Sequence, residues 1–276
     1  MREALAAASD ALAAAGVEAL LEHVGGTDRA SLYSGRAQLT DEDRRWFGHA
    51  LCRRAHGVPL EHLTGERRFF GLELVVRPGV FIPRPETEVV VEAALDAIAA
   101  FDRPTVIDVG TGSGAIALAI KHRRQDARVL ATDVSGAAVE LAGQNARRLG
   151  LDVEIFEGAL IERCPADVRG RVDLVVSNPP YVEADEYEAL PLEVKADPLD
   201  ALVGGTSIHA RLVGEALAWL APGGWLVCEI GAEQGTAVRG LFDRALVGVE
   251  ILPDLAGRER VARGRRPTDA SVPPTP

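Results

Sequence analysis

Residues Asn178-Pro179-Pro180-Tyr181 end an apolar run that spells VDLVVS from Val172 to Ser177. Two adjacent prolines cannot continue a central strand, so the chain must turn there with fixed φ angles and two N–H groups fewer. Such a loop presents rigid carbonyls, and Asn178 adds a side-chain oxygen as a further acceptor. A set of acceptors suits a planar NH₂ group, which has two protons to donate. Held by Asn178 Oδ1 and the Pro179 carbonyl, that nitrogen directs its remaining electron pair at an electrophile, while Tyr181 stacks on the planar group and excludes water. An amide or aromatic amine is a poor nucleophile, so the site has to supply orientation and stabilise the nitrogen as it becomes tetrahedral and positive. No ionisable base is needed beforehand, because the proton turns acidic once the new bond has formed. On this reading Asn178, Pro179 and Tyr181 are catalytic, and Asn178, Pro179, Pro180 and Tyr181 bind the substrate.

A second stretch, DVGTGSGAIAL from Asp108 to Leu118, follows a strand and opens a helix. Gly110, Gly112 and Gly114 let the backbone turn sharply and approach a ligand, with a helix N-terminus behind them. After the next strand stands Asp133, a carboxylate able to accept both hydroxyls of a ribose. A dinucleotide fingerprint needs a third glycine at position 115, which is Ala115. The spacing Asp108-x-Gly110-x-Gly112-x-Gly114 instead looks like the first motif of S-adenosylmethionine-dependent methyltransferases, in which the aspartate and glycine loop hold the amino-acid end of the cofactor. Both readings share a fold, and the loop alone leaves them open.

Those loops need a sheet whose strand tips converge. From Pro104 the chain alternates TVIDVG, RVLATDV, VEIFEG, VDLVVSN and WLVCEIG with helical stretches, IHARLVGEALAWLAPGG being a helix stopped by Pro222-Gly223-Gly224. The pattern predicts an α/β fold, a parallel Rossmann-like sheet with helices on both faces, closed by a hairpin of VGVEILPD and ERVARGRR. Residues 1–64 read as helices, the clearest starting at Thr40 as N-cap with acids in its first turn. FFGLELVVRPGVFIPRPE reads as a β-hairpin. The expected organisation is a helical recognition domain over 1–64, a hairpin linker over 65–88, the catalytic domain over 89–266, and a disordered tail over 267–276.

The chain has 276 residues and a net charge of −11, which argues against a general nucleic-acid binder, because phosphate binding needs a basic footprint. Three scattered cysteines and six scattered histidines show no metal-ligand spacing, so no metal is expected. The opening MREALAAASDALAAAG reads as an amphipathic helix, since Glu3 and Asp10 interrupt any leader-like apolar run, and no segment has the length of a membrane span. A cytoplasmic, monomeric protein is expected.

The block PLEHLTGERRFFGLELVVRPGVFIPRPETE, with DVGTGSGAIAL, SNPPY, DPLDALVGG and PDLAGRERV, resembles the bacterial release-factor glutamine methyltransferases, the HemK/PrmC family, over nearly the whole chain. The resemblance implies methylation of the glutamine side chain in the Gly-Gly-Gln loop of peptide chain release factors, with S-adenosyl-L-methionine as cofactor. Methylation of another protein glutamine, as in a ribosomal protein, or of a nucleic-acid amine is the alternative. Residue by residue, it places Gly110, Thr111, Gly112, Ser113, Gly114, Asp133, Leu160 and Asn178 at the cofactor, and Asn178 through Tyr181 at the glutamine. IPRPETE is implied to lie near the cleft, although Arg84, Glu86 and Glu88 also suit a salt-bridged structural linker. Three stretches depart from the family pattern. Ala159 stands where an acid is usual, which leaves the adenine amine to the backbone and the ring to Leu160. Thr206-Ser207-Ile208-His209 replaces an Asp-Gly pair. AGVEALLEHVGG lacks the usual loop between the first helices.

Overall fold

Thr40 accepts the Asp43 N–H at 3.1 Å while Asp43 takes the Thr40 N–H at 2.7 Å, a reciprocal cap that starts one helix where the sequence predicts it. The computed structural model describes residues 14–26, 30, 31, 34 and 39–268. The opening stretch to residue 13 and the tail from 269 lie outside the described residues, so the helix expected in the one and the disorder expected in the other do too.

The chain divides into two units, Met1–Glu66 with Leu190–Ala196, and Arg67–Ala189 with Asp197–Pro276. The first holds α1 (Ala14–Gly25), α2 (Asp41–Ala55) and α3 (Leu60–Thr64). Val17, Leu20 and Leu21 of α1 recur at helical spacing and are buried with Phe47 and Ala50 of α2. Leu190–Ala196 returns to this unit late in the sequence, where Glu193 pairs with Arg54 at 2.9 Å.

The second unit opens with a hairpin, β1 (Glu66–Phe69) and β2 (Leu72–Val75). Phe70 and Gly71 both take positive φ, the two-residue turn that matches strand twist. There follow α4 (Glu88–Ala97), β3 (Thr105–Val109), α5 (Ala115–Arg123), β4 (Arg128–Asp133), α6 (Gly136–Leu149), β5 (Glu154–Glu157) and β6 (Val172–Ser177). The chain continues through α7 (Leu199–Leu202), α8 (Gly205–Trp219), β7 (Leu220–Glu229), α9 (Gly235–Phe242), β8 (Val247–Pro253) and β9 (Glu259–Arg265). The seven strands lie in the order β5-β4-β3-β6-β7-β9-β8, the first five parallel and β9 antiparallel to both neighbours.

Alternation along the strands divides the core between the two faces. Val106, Val129, Ala131, Leu174, Val176 and Val227 pack with α4 and α5, whereas Ile107, Leu130, Val175, Leu226 and Cys228 pack with α8 and α9. The Pro222-Gly223-Gly224 helix stop needs correction. α8 already ends at Trp219, and the Pro-Gly-Gly lies within β7, where Val172 pairs with Leu220 but Leu174 with Trp225. The prolyl-glycyl residues are the extra length of a bulge, with Gly223 in the left-handed region.

Candidate active site

Strand order reverses at β3, which has β4 on one side and β6 on the other, and ligands of open α/β sheets bind at such a point beyond the carboxyl ends of the strands. Val109 of β3 is in register with Ser177 of β6, and Ser177 Oγ donates to the Val109 carbonyl at 2.7 Å. The glycine loop and the Asn178 loop therefore leave the sheet side by side.

Gly110, Gly112 and Gly114 all lie in the left-handed region, which side chains rarely adopt. A Cβ on Gly110 would have only the Asn178 carbonyl oxygen near it, at 4.0 Å, and one on Gly112 would meet nothing, so the loop borders open space. Gly114 is different: its Cβ would press on Leu118 at 2.9 Å, so here glycine permits helix packing. Asp108 is fully buried, and its Oδ2 accepts the Thr111 hydroxyl at 2.7 Å and the Ala117 N–H at 3.1 Å. The acid thus caps α5 from beneath the loop. Its Oδ1 is buried without a donor, and burial pushes the carboxyl up to about 7. Asp133 accepts the Gly112 N–H and the Ser135 N–H, each at 2.9 Å, one on each oxygen. It is partly exposed, its pKa is raised by burial, and every carboxylate oxygen with one bond retains acceptor capacity. Thr111 and Ser113 are buried within the loop. Asn145 of α6 donates to the Ser113 carbonyl at 2.8 Å and brackets Val75 of β2 with both its amide atoms.

On the other wall, Asn178 Nδ2 donates to Thr87 Oγ1 at 3.1 Å, which leaves Oδ1 as the uncommitted end of the amide. The Tyr181 hydroxyl donates to Glu229 Oε1 at 3.2 Å, and its pKa is raised by burial first and by Glu229 next. Gln234 Nε2 takes the Tyr181 carbonyl at 2.7 Å. Gly204 leaves no room for a side chain, since a Cβ there would collide with the Pro180 carbonyl. Those contacts fix the loop from behind, and no hydrogen bond among the described residues engages the Pro179 carbonyl.

IPRPETE serves both readings. Arg84 pairs with buried Asp197, which also accepts the Ile82 N–H, and Glu88 accepts the Phe70 N–H at 2.7 Å. Thr87, between them, reaches Asn178. Leu160 has a positive φ and packs against the apolar layer under α8, and Gly158 next to Ala159 donates to the Asp133 carbonyl. Thr206 to His209 form the first turn of α8, where the Thr206 N–H is capped by Glu183 and buried His209 reaches the Glu229 carbonyl at 2.9 Å.

Thr87, Asn145, Asp197, Gly204, Glu229 and Gln234 all hold the site, and motif reading singled out none of them. Glu229 carried a signal: an acid ending the apolar run WLVCE at the ligand edge of a sheet. Among the described residues, no group of three or more His, Cys, Asp or Glu could hold a metal ion, and no helix is long and apolar enough to cross a membrane.

The sequence matches the methyltransferase small domain family over residues 71–193 and the PrmC N-terminal domain family over residues 1–65. A release factor glutamine methyltransferase of Xylella fastidiosa is 42% identical over 95% of this chain and 97% of its own length. One of Deinococcus radiodurans is 39% identical over 96% and 98%. Among solved structures, the hMettl16 catalytic domain in complex with an RNA hairpin has a TM-score of 0.59 at 16% identity, over 82% of this chain and 84% of that one. The T. thermophilus 16S rRNA methyltransferase RsmC, in complex with AdoMet and guanosine, has a TM-score of 0.54 at 21% identity, over 73% and 49%. At those identities the likeness is one of fold.

Proposed function

This chain belongs to the release factor glutamine methyltransferases, and from that premise we propose that it methylates the side-chain amide nitrogen of the glutamine in the Gly-Gly-Gln loop of peptide chain release factors. S-adenosyl-L-methionine supplies an electrophilic methyl group on a positively charged sulfur. The residues present fit that cofactor: open space beside Gly110 and Gly112, a partly exposed Asp133 with acceptor capacity for a ribose, and a buried, unpartnered Asp108 oxygen behind the loop. Thr111 and Ser113 shape the loop, and Leu160 is assigned to the ring of the adenine.

The observation that carries the proposal is the anchoring of Asn178 by its nitrogen, next to that loop. With Nδ2 committed to Thr87, Oδ1 and the Pro179 carbonyl are the acceptors left to receive the two N–H protons of a glutamine amide. Pro180 fixes the loop's course, and Tyr181, tethered to Glu229, stacks on the amide plane. Orientation and acceptors placed where positive charge develops are the catalytic devices. A lone amide offers little binding surface, so selection has to come from the surrounding protein. We assign that role to residues 1–64, with 65–88 as linker and 89–266 as the catalytic part, in a monomer working in the cytoplasm.

Labelled S-adenosyl-L-methionine tests this with three acceptors. Intact release factor should be modified far better than a short Gly-Gly-Gln peptide, and its Gln→Asn variant not at all, because one methylene less leaves the amide short of the acceptors. Label entering DNA or RNA and none entering release factor contradicts the reading.

A further inference from the structure

Glu229 is 2% exposed at the end of β7, and a buried carboxyl is costly unless its oxygens are used. Oε1 receives the Tyr181 hydroxyl. Oε2 is buried with no donor at full hydrogen-bond geometry, yet the Thr87 hydroxyl stands near enough to draw the carboxyl's pKa down. Thr87 is itself buried and accepts from Asn178 Nδ2. A hydroxyl has one proton and turns it to suit its surroundings. With a lone pair of Thr87 taken by Asn178, the buried carboxyl is the acceptor on hand for that proton.

We propose that Glu229 is the positioning residue of the methyl-transfer site: it terminates a one-way donor chain from Asn178 through Thr87, receives Tyr181 as well, and so fixes which end of the Asn178 amide faces the substrate. This deepens the glutamine-methyltransferase reading and rests on it, since that reading needs Asn178 to present oxygen. The two ends of an amide are nearly equal in shape, and a flip exchanges donor for acceptor. In the flipped state Asn178 would point NH₂ at the NH₂ of the glutamine, donor against donor. A carboxylate forbids the flip because it has no proton to send back through Thr87. It also ties the stacking ring and the acceptor amide to one point, so their spacing is set together.

The groups acting on the Glu229 carboxyl are the Thr87 and Tyr181 hydroxyls, the Arg260 guanidinium and the Glu86 carboxylate, while His209 meets only its main-chain carbonyl. Burial outweighs the lowering pull of Thr87, Arg260 and Tyr181 and leaves it at about 7. Once protonated, Glu229 can donate to Thr87 and the direction of the chain is lost. Turnover therefore declines as pH falls through that value.

Four variants test the chain: Thr87→Val, Thr87→Ser, Glu229→Gln and the double Thr87→Val/Glu229→Gln. Thr87→Val and Glu229→Gln should each lower kcat about 10- to 100-fold, with KM for release factor and calorimetric S-adenosyl-L-methionine affinity changed by less than about twofold. Thr87→Ser should restore most of what Thr87→Val loses. The double variant should be no worse than the poorer single, because both break one chain. Glu229→Gln should also lose the acid limb of the kcat profile. Additive losses, or a Thr87→Val enzyme with normal kcat, overturn the proposal. A second measurement needs no substrate and no Glu229 variant: the ¹⁵N side-chain NH₂ signals of Asn178, assigned by their loss in Asn178→Ala. One proton should be protected from exchange in the wild type and unprotected in Thr87→Val. Equal, fast exchange in the wild type removes the chain whatever the activity. Protection in a protein that methylates no glutamine upholds the chain and refutes the functional reading instead.

Discussion

On the glycine-loop side of the crevice, Asp108 and Asp133 direct their oxygens onto main-chain N–H groups, whereas on the Asn178 side the polar atoms that matter are side chains bonded to other side chains. The first wall is local: Asp108 to Thr111 and Ala117 span three and nine positions, and Asp133 to Gly112 spans 21. The second is assembled from afar, Thr87 lying 91 positions from Asn178 and Glu229 48 from Tyr181. A wall of backbone needs only to be shaped, and glycines with nearby acids do that. A wall that must tell a donor from an acceptor needs hydrogen bonds of fixed direction, and those come from whichever strands the topology brings alongside.

The difference predicts that damage to the two walls separates in kinetics. Asn178→Ala should cut kcat by about 10²- to 10³-fold while leaving cofactor affinity nearly intact, since its oxygen acts on the substrate nitrogen. Steady-state rates beside calorimetry check this, and a parallel loss of cofactor binding would merge the two walls into one. Asp133→Ala should do the reverse. It removes charge-assisted bonds worth about 1.5–3 kcal/mol, so cofactor affinity should drop about 10- to 100-fold. Asp133 also holds the Gly112 N–H, so Asp133→Asn, which retains one acceptor, should lose less.

The smallest effect is on stability. Burial raises the Glu229 carboxyl from 4.5 to about 7, so the folded state holds a proton that the unfolded state has released between those values. The stability this proton contributes is full below pH 4.5 and is lost as pH rises through about 7. Asp108 behaves alike, whereas buried His209, with its pKa lowered, acts the other way. A difference isolates Glu229. Between pH 5.5 and 8 the wild-type Tm should fall by a few degrees more than that of Glu229→Gln. Equal slopes would mean that Glu229 does not titrate in this range.

What could be read in the sequence follows the same division. The strands alternate in a period that burial on both faces preserves, and Gly110 to Gly114 with Asp133 keep their spacing because their bonds are short-range. Asn178 to Tyr181 announced a turn full of acceptors, since two prolines leave few alternatives. Thr87 was quoted within IPRPETE but not singled out, because nothing in a threonine between two glutamates says that it will meet an asparagine from another strand. Gly204 needed the approach of the Pro180 carbonyl to explain it. The Pro222-Gly224 stop misled because a bulge and a helix end use the same residues. Leu190–Ala196 groups with the first unit through Arg54 and Glu193, a pairing that no periodicity reveals.

The most direct measurement is site-resolved mass spectrometry of intact release factor incubated with S-adenosyl-L-methionine and either the wild-type chain or Asn178→Ala. One added methyl group on the side-chain nitrogen of the Gly-Gly-Gln glutamine with the wild type, and almost none with the variant, is the predicted result. A methyl group on any other residue, or equal methylation by both proteins, would contradict the account.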